Sequence, residues 1–199
     1  MNRIITVGRE FGSGGREIGR LLAERLNIAY YDHEIVMELE NRTAFAAEYI
    51  QSVQEKRPIS ALPLTTGRTL WIAPNPMVEQ RLEVMQMESE ILREMAERSS
   101  CVIVGRCADY ILREKAPFRL FLYADMKYKL ARCRAREAAS EKLTDRELRK
   151  RISQVDKARA EYYAFRTGQT WGAKENYDLC IQTSALPVEQ IVSGILAFL

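Results

Sequence analysis

The chain carries one histidine, His33, and its four cysteines, Cys101, Cys107, Cys133 and Cys180, never stand at C-x-x-C spacing. Zinc therefore lacks donors in a usable pattern. No apolar run approaches the roughly 20 residues that cross a bilayer, so no membrane partner is expected. The net charge is only +3, too small to argue for a nucleic-acid partner by itself. The sequence opens directly on a strand-like run, Arg3–Val7, so no signal peptide is expected. Cys101 and Cys180 lie singly in apolar runs and read as buried thiols of a reducing compartment, with the cytoplasm as the expected location.

What is present suits one soluble α/β domain: 199 residues, 47% of them hydrophobic and 29% charged. Arg3–Val7, Ile28–Tyr31, Cys101–Val104, Arg119–Tyr123 and Asp178–Gln182 read as five strands. They are dense in apolar residues rather than alternating, as parallel strands covered on both faces are. Helical patterns separate them, which predicts βαβ units and a doubly wound sheet. The first helix is expected from about Gly15 to Leu26, on an Ile18, Leu21, Leu22, Leu26 stripe. Another is expected to open at Asn75 as N-cap, with Pro76 at its first position, and to run to about Arg98. Its lines Val78, Leu82, Met85, Leu92 and Val84, Met87, Ile91, Met95 suit a face buried in the core or a surface for a second copy of the chain. Thr144-Asp145-Arg146-Glu147 is a capping box that starts a helix reaching about Ala164. A final amphipathic helix is expected over Val188 to Phe198. Residues Glu40 to Thr69 show no clear period beyond a helix near Ala44–Gln54 and read as an insertion able to close over a ligand.

The most informative stretch is Ile4 to Gly19. An apolar strand enters the turn Gly12-Ser13-Gly14, and a helical pattern leaves it. That order aims main-chain N–H groups and the positive end of a helix at one point, where phosphate binds. A glycine-rich turn that only packs a helix on a sheet is the alternative. Against G-x-x-x-x-G-K-[ST], Gly15 stands at the lysine position, Arg16 and Glu17 stand where the hydroxyl is expected, and Arg9 takes the place of the first glycine.

In parallel sheets ligands bind beyond the carboxyl ends of the strands. The second strand leads to Asp32, a candidate for a hydrated magnesium, for a substrate hydroxyl, or for capping the next helix. Beside it, His33 reads as a polar loop residue. The third strand leads to Gly105-Arg106. A guanidinium there can fork onto a phosphate or carboxylate, or hold a structural ion pair. Asp109 follows on a helix's first turn, where an acid is favoured anyway. Arg132 to Arg166 contains eight arginines. They form either solvated helix faces or a lid that closes on transferring phosphates. Arg132 and Arg136 share a face, and Arg151, Asp156 and Arg159 are expected on the inner side of the second lid helix.

Ile4–Gly19, Ile28–Ile35, Val102–Leu112, Leu120–Arg136, Asp156–Tyr163 and Tyr177–Ser184 together resemble the cytidylate kinase-like family of phosphate-loop proteins. The likeness covers most of the chain except about Glu40–Thr69. Its most specific signatures are R-E-F-G-S-G-G-R-E-I-G and C-V-I-V-G-R-C-A-D-Y-I-L. The resemblance implies a three-layer P-loop NTPase fold, with five parallel strands in adenylate-kinase-like order, a helical insertion and an Arg-rich helical lid. It implies one domain over 1–199: a core of 1–36, 99–131 and 165–199, an acceptor-side insertion over about 37–98, and a lid over about 132–164. ATP and Mg²⁺ are implied as cofactors and a small nucleotide as acceptor. By position, Gly12, Ser13, Gly14, Gly15, Arg16 and Glu17 would hold the donor. Arg16, Arg106, Arg132 and Arg159 would serve transfer, and Asp32, Arg106, Asp109, Arg151 and Asp156 the acceptor. Arg16 is one residue past the missing lysine and could stand in for it. Cys107 replaces the acid of the family's Gly-Arg-Asp, and no arginine follows the second strand in Asp32-His33-Glu34-Ile35-Val36. These departures keep open a second expectation, a nucleotide- or anion-binding regulatory module without turnover.

Overall fold

The computed structural model describes residues 2–55, 76–136 and 143–199. The chain runs β1 (Ile4–Arg9), α1 (Gly15–Leu26), β2 (Ala29–Tyr31), α2 (Glu34–Arg42), α3 (Ala47–Glu55), α4 (Pro76–Arg98), β3 (Cys101–Val104), α5 (Ala108–Ile111), β4 (Phe118–Tyr123), α6 (Met126–Arg134), α7 (Asp145–Thr167), β5 (Leu179–Gln182) and α8 (Val188–Leu196). All five strands pair in parallel, in the order β2-β3-β1-β4-β5. This is the doubly wound, adenylate-kinase-like arrangement that the sequence implies.

Both faces of the sheet are covered, which is why its strands read as continuous apolar runs. Ile5, Val7, Val102, Val104, Leu120 and Leu122 pack with α1 and α8 on one face. Ile4, Cys101 and Ile103 face α2, α4 and α5 on the other. Leu130, Leu148 and Ile152 form a smaller cluster with Phe11, which ties α6 and α7 to the loop after β1.

The helix starts follow local chemistry. Thr144 accepts from the Glu147 amide while Glu147 returns to the Thr144 amide, so the capping box is formed. Asp125 caps α6 by accepting from the Tyr128 amide at 2.8 Å. Asn27, with φ 51°, ends α1. Several expected ends move. β1 runs two residues past Val7, because Gly8 and Arg9 still pair with Phe121 and Leu122 of β4; Arg9 is thus a strand residue. α7 continues to Thr167, where left-handed Gly168 stops it, and α8 stops at Leu196. The helix expected near Ala44–Gln54 is α3, and α2 fills the start of the insertion. Asn75 and the rest of that insertion before Pro76 lie outside the described residues. On α4, Val84, Met85, Ile91, Leu92 and Met95 are buried and Leu82 is exposed, so most of both lines belongs to the core. Among the described residues no helix is long and apolar enough to cross a membrane.

Candidate active site

β1 delivers the chain into a turn whose two hinge glycines, Gly12 (φ 77°) and Gly14 (φ 88°), are left-handed, a conformation open to glycine at no steric cost. Neighbours crowd both. A Cβ on Gly12 would lie 3.1 Å from Cys133 Sγ, and one on Gly14 would lie 3.2 Å from Arg132 Cζ. Ser13 between them is fully buried. Its hydroxyl donates to the Glu10 carbonyl at 2.9 Å, and its own carbonyl accepts from buried Thr183 Oγ1 at 2.7 Å. The hydroxyl of the loop thus holds the turn closed, and the turn is anchored from the end of β5.

A buried ionic staple fastens the other side. Lys129 Nζ lies 2.7 Å from Glu10 Oε2 and 2.9 Å from Asp156 Oδ2. Asp156 Oδ1 accepts from the Phe11 amide at 2.6 Å, and Glu10 Oε2 accepts from the Ala124 amide at 3.0 Å. Burial pulls the Lys129 ammonium down, but its hydrogen bonds to Glu10 and Asp156 outweigh that and hold its pKa above the ordinary value.

Above the turn lies a cavity of about 420 Å³. Gly12, Gly14 and Gly15 form its floor, and Arg9, Arg16, Arg132, Arg136, Arg151 and Arg159 stand around it. α1 begins here, so its unpaired N–H groups and the positive end of its dipole add to the arginine charge. Arg132 is hydrogen-bonded to Glu17, and Arg136 reaches the same carboxylate at 2.8 Å. The Arg132 bond, with both charges, pulls Glu17 below the usual carboxylate range. Arg159 donates to the Arg9 carbonyl at 3.4 Å and stacks 5.7 Å above the Phe11 ring. Arg16 is mostly exposed and leans to β2, with its Nε 2.8 Å from Asp32 Oδ2. Asp32 does not cap α2; His33 occupies the N-cap position, without a side-chain cap.

Arg9 crosses underneath. A Cβ on Gly15 would meet its Cβ at 2.5 Å, and a Cβ on Gly105 would meet its guanidinium at 1.7 Å. Its ionic neighbour among the described residues is Asp32, whose Oδ1 is 3.8 Å away. Burial, followed by the charge of Arg159, pulls the Arg9 guanidinium down to about 9.

Behind Arg9 is a second hollow of about 30 Å³, lined by Arg106, Asp109, Tyr162, Tyr163, Trp171 and Tyr177 among others. Arg106 Nη1 lies 2.8 Å from Glu88 Oε1, and both side chains are buried. Tyr162 donates to Glu88 at 3.0 Å and Tyr163 to Asp109 at 2.7 Å. Burial pushes Asp109 up despite that hydrogen bond, and burial also pushes the Cys107 thiol up.

The expected residues therefore sort by place. Gly12, Gly14, Gly15, Arg16, Arg132, Arg151 and Arg159 share the large cavity. Ser13 lies beneath it, and Glu17 binds two of its arginines. Asp32 faces Arg16 and Arg9. Arg106 and Asp109 belong to the small hollow, and Asp156 to the staple. Sequence reasoning passed over Glu10, Lys129 and Glu88. Glu88 had a signal: it falls on the helical line Met85, Glu88, Leu92, a charge where the pattern asks for an apolar residue.

A glycine turn between β1 and α1, under parallel strands in the order 2-3-1-4-5, defines a P-loop kinase-type α/β protein. The chain belongs to the cytidylate kinase-like family, whose model matches residues 4–185. No curated protein matches it. A crystal structure of an uncharacterized protein from Eubacterium ventriosum is similar at 26% identity and a TM-score of 0.71, covering 98% of this chain and 97% of that one. Shikimate kinase from Acinetobacter baumannii, in complex with shikimate, is similar at 18% identity and a TM-score of 0.55, over 100% and 92% of the two chains. A gluconokinase from Sinorhizobium meliloti is similar at 16% identity and 0.52, over 98% and 90%. The last two likenesses are of fold.

Proposed function

We propose that the protein is an ATP-dependent phosphotransferase of the nucleotide-kinase type, moving a terminal phosphoryl group to a small acceptor such as a nucleoside monophosphate. The observation that carries this reading is the large cavity, where six arginines surround a glycine turn at a helix N-terminus. A loose phosphoryl-transfer transition state needs positioning and charge compensation rather than covalent help. In this reading the donor phosphates rest on the main chain of Gly12 to Gly15, next to Arg16 and Glu17. Arg132 and Arg159, with Arg16, neutralise charge as it shifts. Asp32 and Arg151 lie toward the acceptor, and Arg106, Asp109 and Asp156 position their neighbours. A Mg²⁺ ion, when bound with the donor, would supply further neutralisation. In this reading the ion would be carried largely by phosphate and water, with Asp32 offered to its hydration shell. Residues 37–98 form the acceptor side in this reading, and 132–164 the lid.

A second reading, a nucleotide-binding regulatory module, is favoured by the Glu17 carboxylate, which already occupies Arg132 and Arg136. One assay separates the two. ADP release is followed with ATP, Mg²⁺ and a panel of acceptors: CMP and other monophosphates, with shikimate and gluconate added because the similar folds include a shikimate kinase and a gluconokinase. At least one acceptor is expected to raise ADP release. If ATP binds and no acceptor does so, the module reading replaces the kinase.

A further inference from the structure

The phosphate-loop pattern has a glycine at its first place and a lysine at its seventh. In this chain the first place is Arg9 and the seventh is Gly15. Space links the two exchanges. A side chain at 15 would begin 2.5 Å from Arg9 Cβ and 2.8 Å from Arg9 Cγ, so lysine at 15 and arginine at 9 exclude each other. At the far end of the same side chain, Gly105 (φ 77°) leaves room for the guanidinium, which a Cβ would meet at 1.7 Å. Two glycines, one opening α1 and one in the turn after β3, thus give way to one arginine, one for its stem and one for its head.

The head is short of partners. Its side chain is only 13% exposed, and its ionic neighbour among the described residues is Asp32 at 3.8 Å, beyond hydrogen-bond reach. Asp32 lies closer to Arg16, at 2.8 Å. A guanidinium has five N–H donors in a fixed fork, and burying a charge without acceptors is costly. Arg159, Arg16 and Arg106 add positive charge around it, so the missing partner is an anion. Arg9 lines the large cavity, from which that anion would arrive.

We propose that Arg9 takes the place of the absent loop lysine, its guanidinium binding the terminal phosphoryl oxygens of a nucleoside triphosphate from the strand side of the loop. The proposal rests on the reading of the large cavity as a triphosphate site. In transfer, the bond between the terminal phosphorus and the ADP oxygen breaks and one to an acceptor oxygen forms. Any acceptor proton leaves to water, and Arg9 stays protonated throughout. Arg16, exposed and engaged with Asp32, contributes less to this contact.

The test is equilibrium binding, by calorimetry without acceptor, of ATP, ADP and inorganic tripolyphosphate. The proteins are wild type, Arg9→Met, Gly105→Ala, Gly15→Lys and Arg9→Gly/Gly15→Lys, each checked for folding by circular dichroism. Arg9→Met is expected to weaken ATP and tripolyphosphate by about tenfold or more, as loss of a charge-assisted fork does, and ADP less. Gly105→Ala keeps every charge and displaces the Arg9 head, at a backbone cost because Gly105 is left-handed, so once folded it should weaken ATP similarly; it also provides a second test should Arg9→Met fail to fold. Gly15→Lys alone should bind poorly, and the double variant should recover most of the ATP affinity. Wild-type ATP affinity in folded Arg9→Met or Gly105→Ala overturns the assignment and leaves the cavity reading standing. A wild-type protein that binds neither triphosphate overturns both.

Discussion

The large and small hollows lie side by side at the carboxyl end of the sheet and share Arg9 and Arg159, yet they treat charge in opposite ways. Around the large one stand six arginines and a single lining acid, Glu10, which Lys129 takes; from outside the lining, Glu17 serves Arg132 and Arg136, and Asp32 serves Arg16 and, at longer range, Arg9. In the small one the two charges it does not share, Arg106 and Asp109, are each answered by a side chain: Arg106 by Glu88, which Tyr162 also holds, and Asp109 by Tyr163. Buried charges closed on one another hold elements together, here α4, α5, α7 and the end of β3. The positive charge left over around the large hollow attracts counter-ions from solution.

The comparison breaks most visibly at Glu88. Glu88→Ala leaves the Arg106 guanidinium buried without its carboxylate, and removing one partner of a buried pair costs about 3–5 kcal/mol. The urea midpoint should fall accordingly. Glu88→Leu/Arg106→Met should recover much of the loss, because an apolar pair of similar volume avoids the desolvation of both charges. No comparable fall is expected when a cavity arginine such as Arg136, which is over half exposed, is replaced.

The acids of the two hollows should also answer pH with opposite signs. Burial raises Asp109. Between the ordinary aspartate value and that raised value the folded state holds the proton more tightly than the unfolded chain, so stability falls as pH rises through the window. Asp109→Asn can still accept from Tyr163 but cannot ionise. Its variant should therefore lack that decline, and the stability of wild type relative to it should shrink as pH rises from about 4 through the raised value. Arg132 and Arg136 lower Glu17, so its contribution is present above the ordinary glutamate value and fades as the solution is acidified through the lowered one. Urea midpoints of Glu17→Gln should lack that fading.

Local chemistry made the scaffold legible. The Gly12-Ser13-Gly14 turn, both ends of α1 and the capping box at Thr144 follow from residues a few positions apart, and the sheet order follows from the family resemblance. The site was legible only as a set of residue types. Glu88 finds Tyr162 across 74 positions, and Phe11 finds Asp156 across 145; no periodicity carries such pairings. The exchange of Arg9 and Gly15 was visible as a mismatch to a pattern. That the two changes depend on each other required knowing where the Arg9 stem runs. Asp109 and Arg106, placed by strand ends alone, entered the same crevice as the glycine turn in the sequence reading. In the fold they sit one layer behind it, with partners from α4 and α7.

The smallest expected effect is also the most direct probe of the large hollow. Glu17 stands one place past the hydroxyl of the loop pattern, and its carboxylate holds Arg132 and Arg136 over the turn. An incoming polyphosphate needs those same guanidinium groups, so the carboxylate competes with it intramolecularly. Glu17→Gln removes the competing charge and keeps the length of the side chain. Because a partly exposed ion pair is worth about 0–1 kcal/mol, the affinity for ATP should rise by no more than about fivefold, measured by calorimetry at low salt. The gain should shrink as ionic strength rises, since screening weakens the exposed pair of Glu17 with Arg136. A fall in affinity would mean that Glu17 orders these two arginines for the ligand rather than withholding them, and the large hollow would then be a preassembled site like the small one.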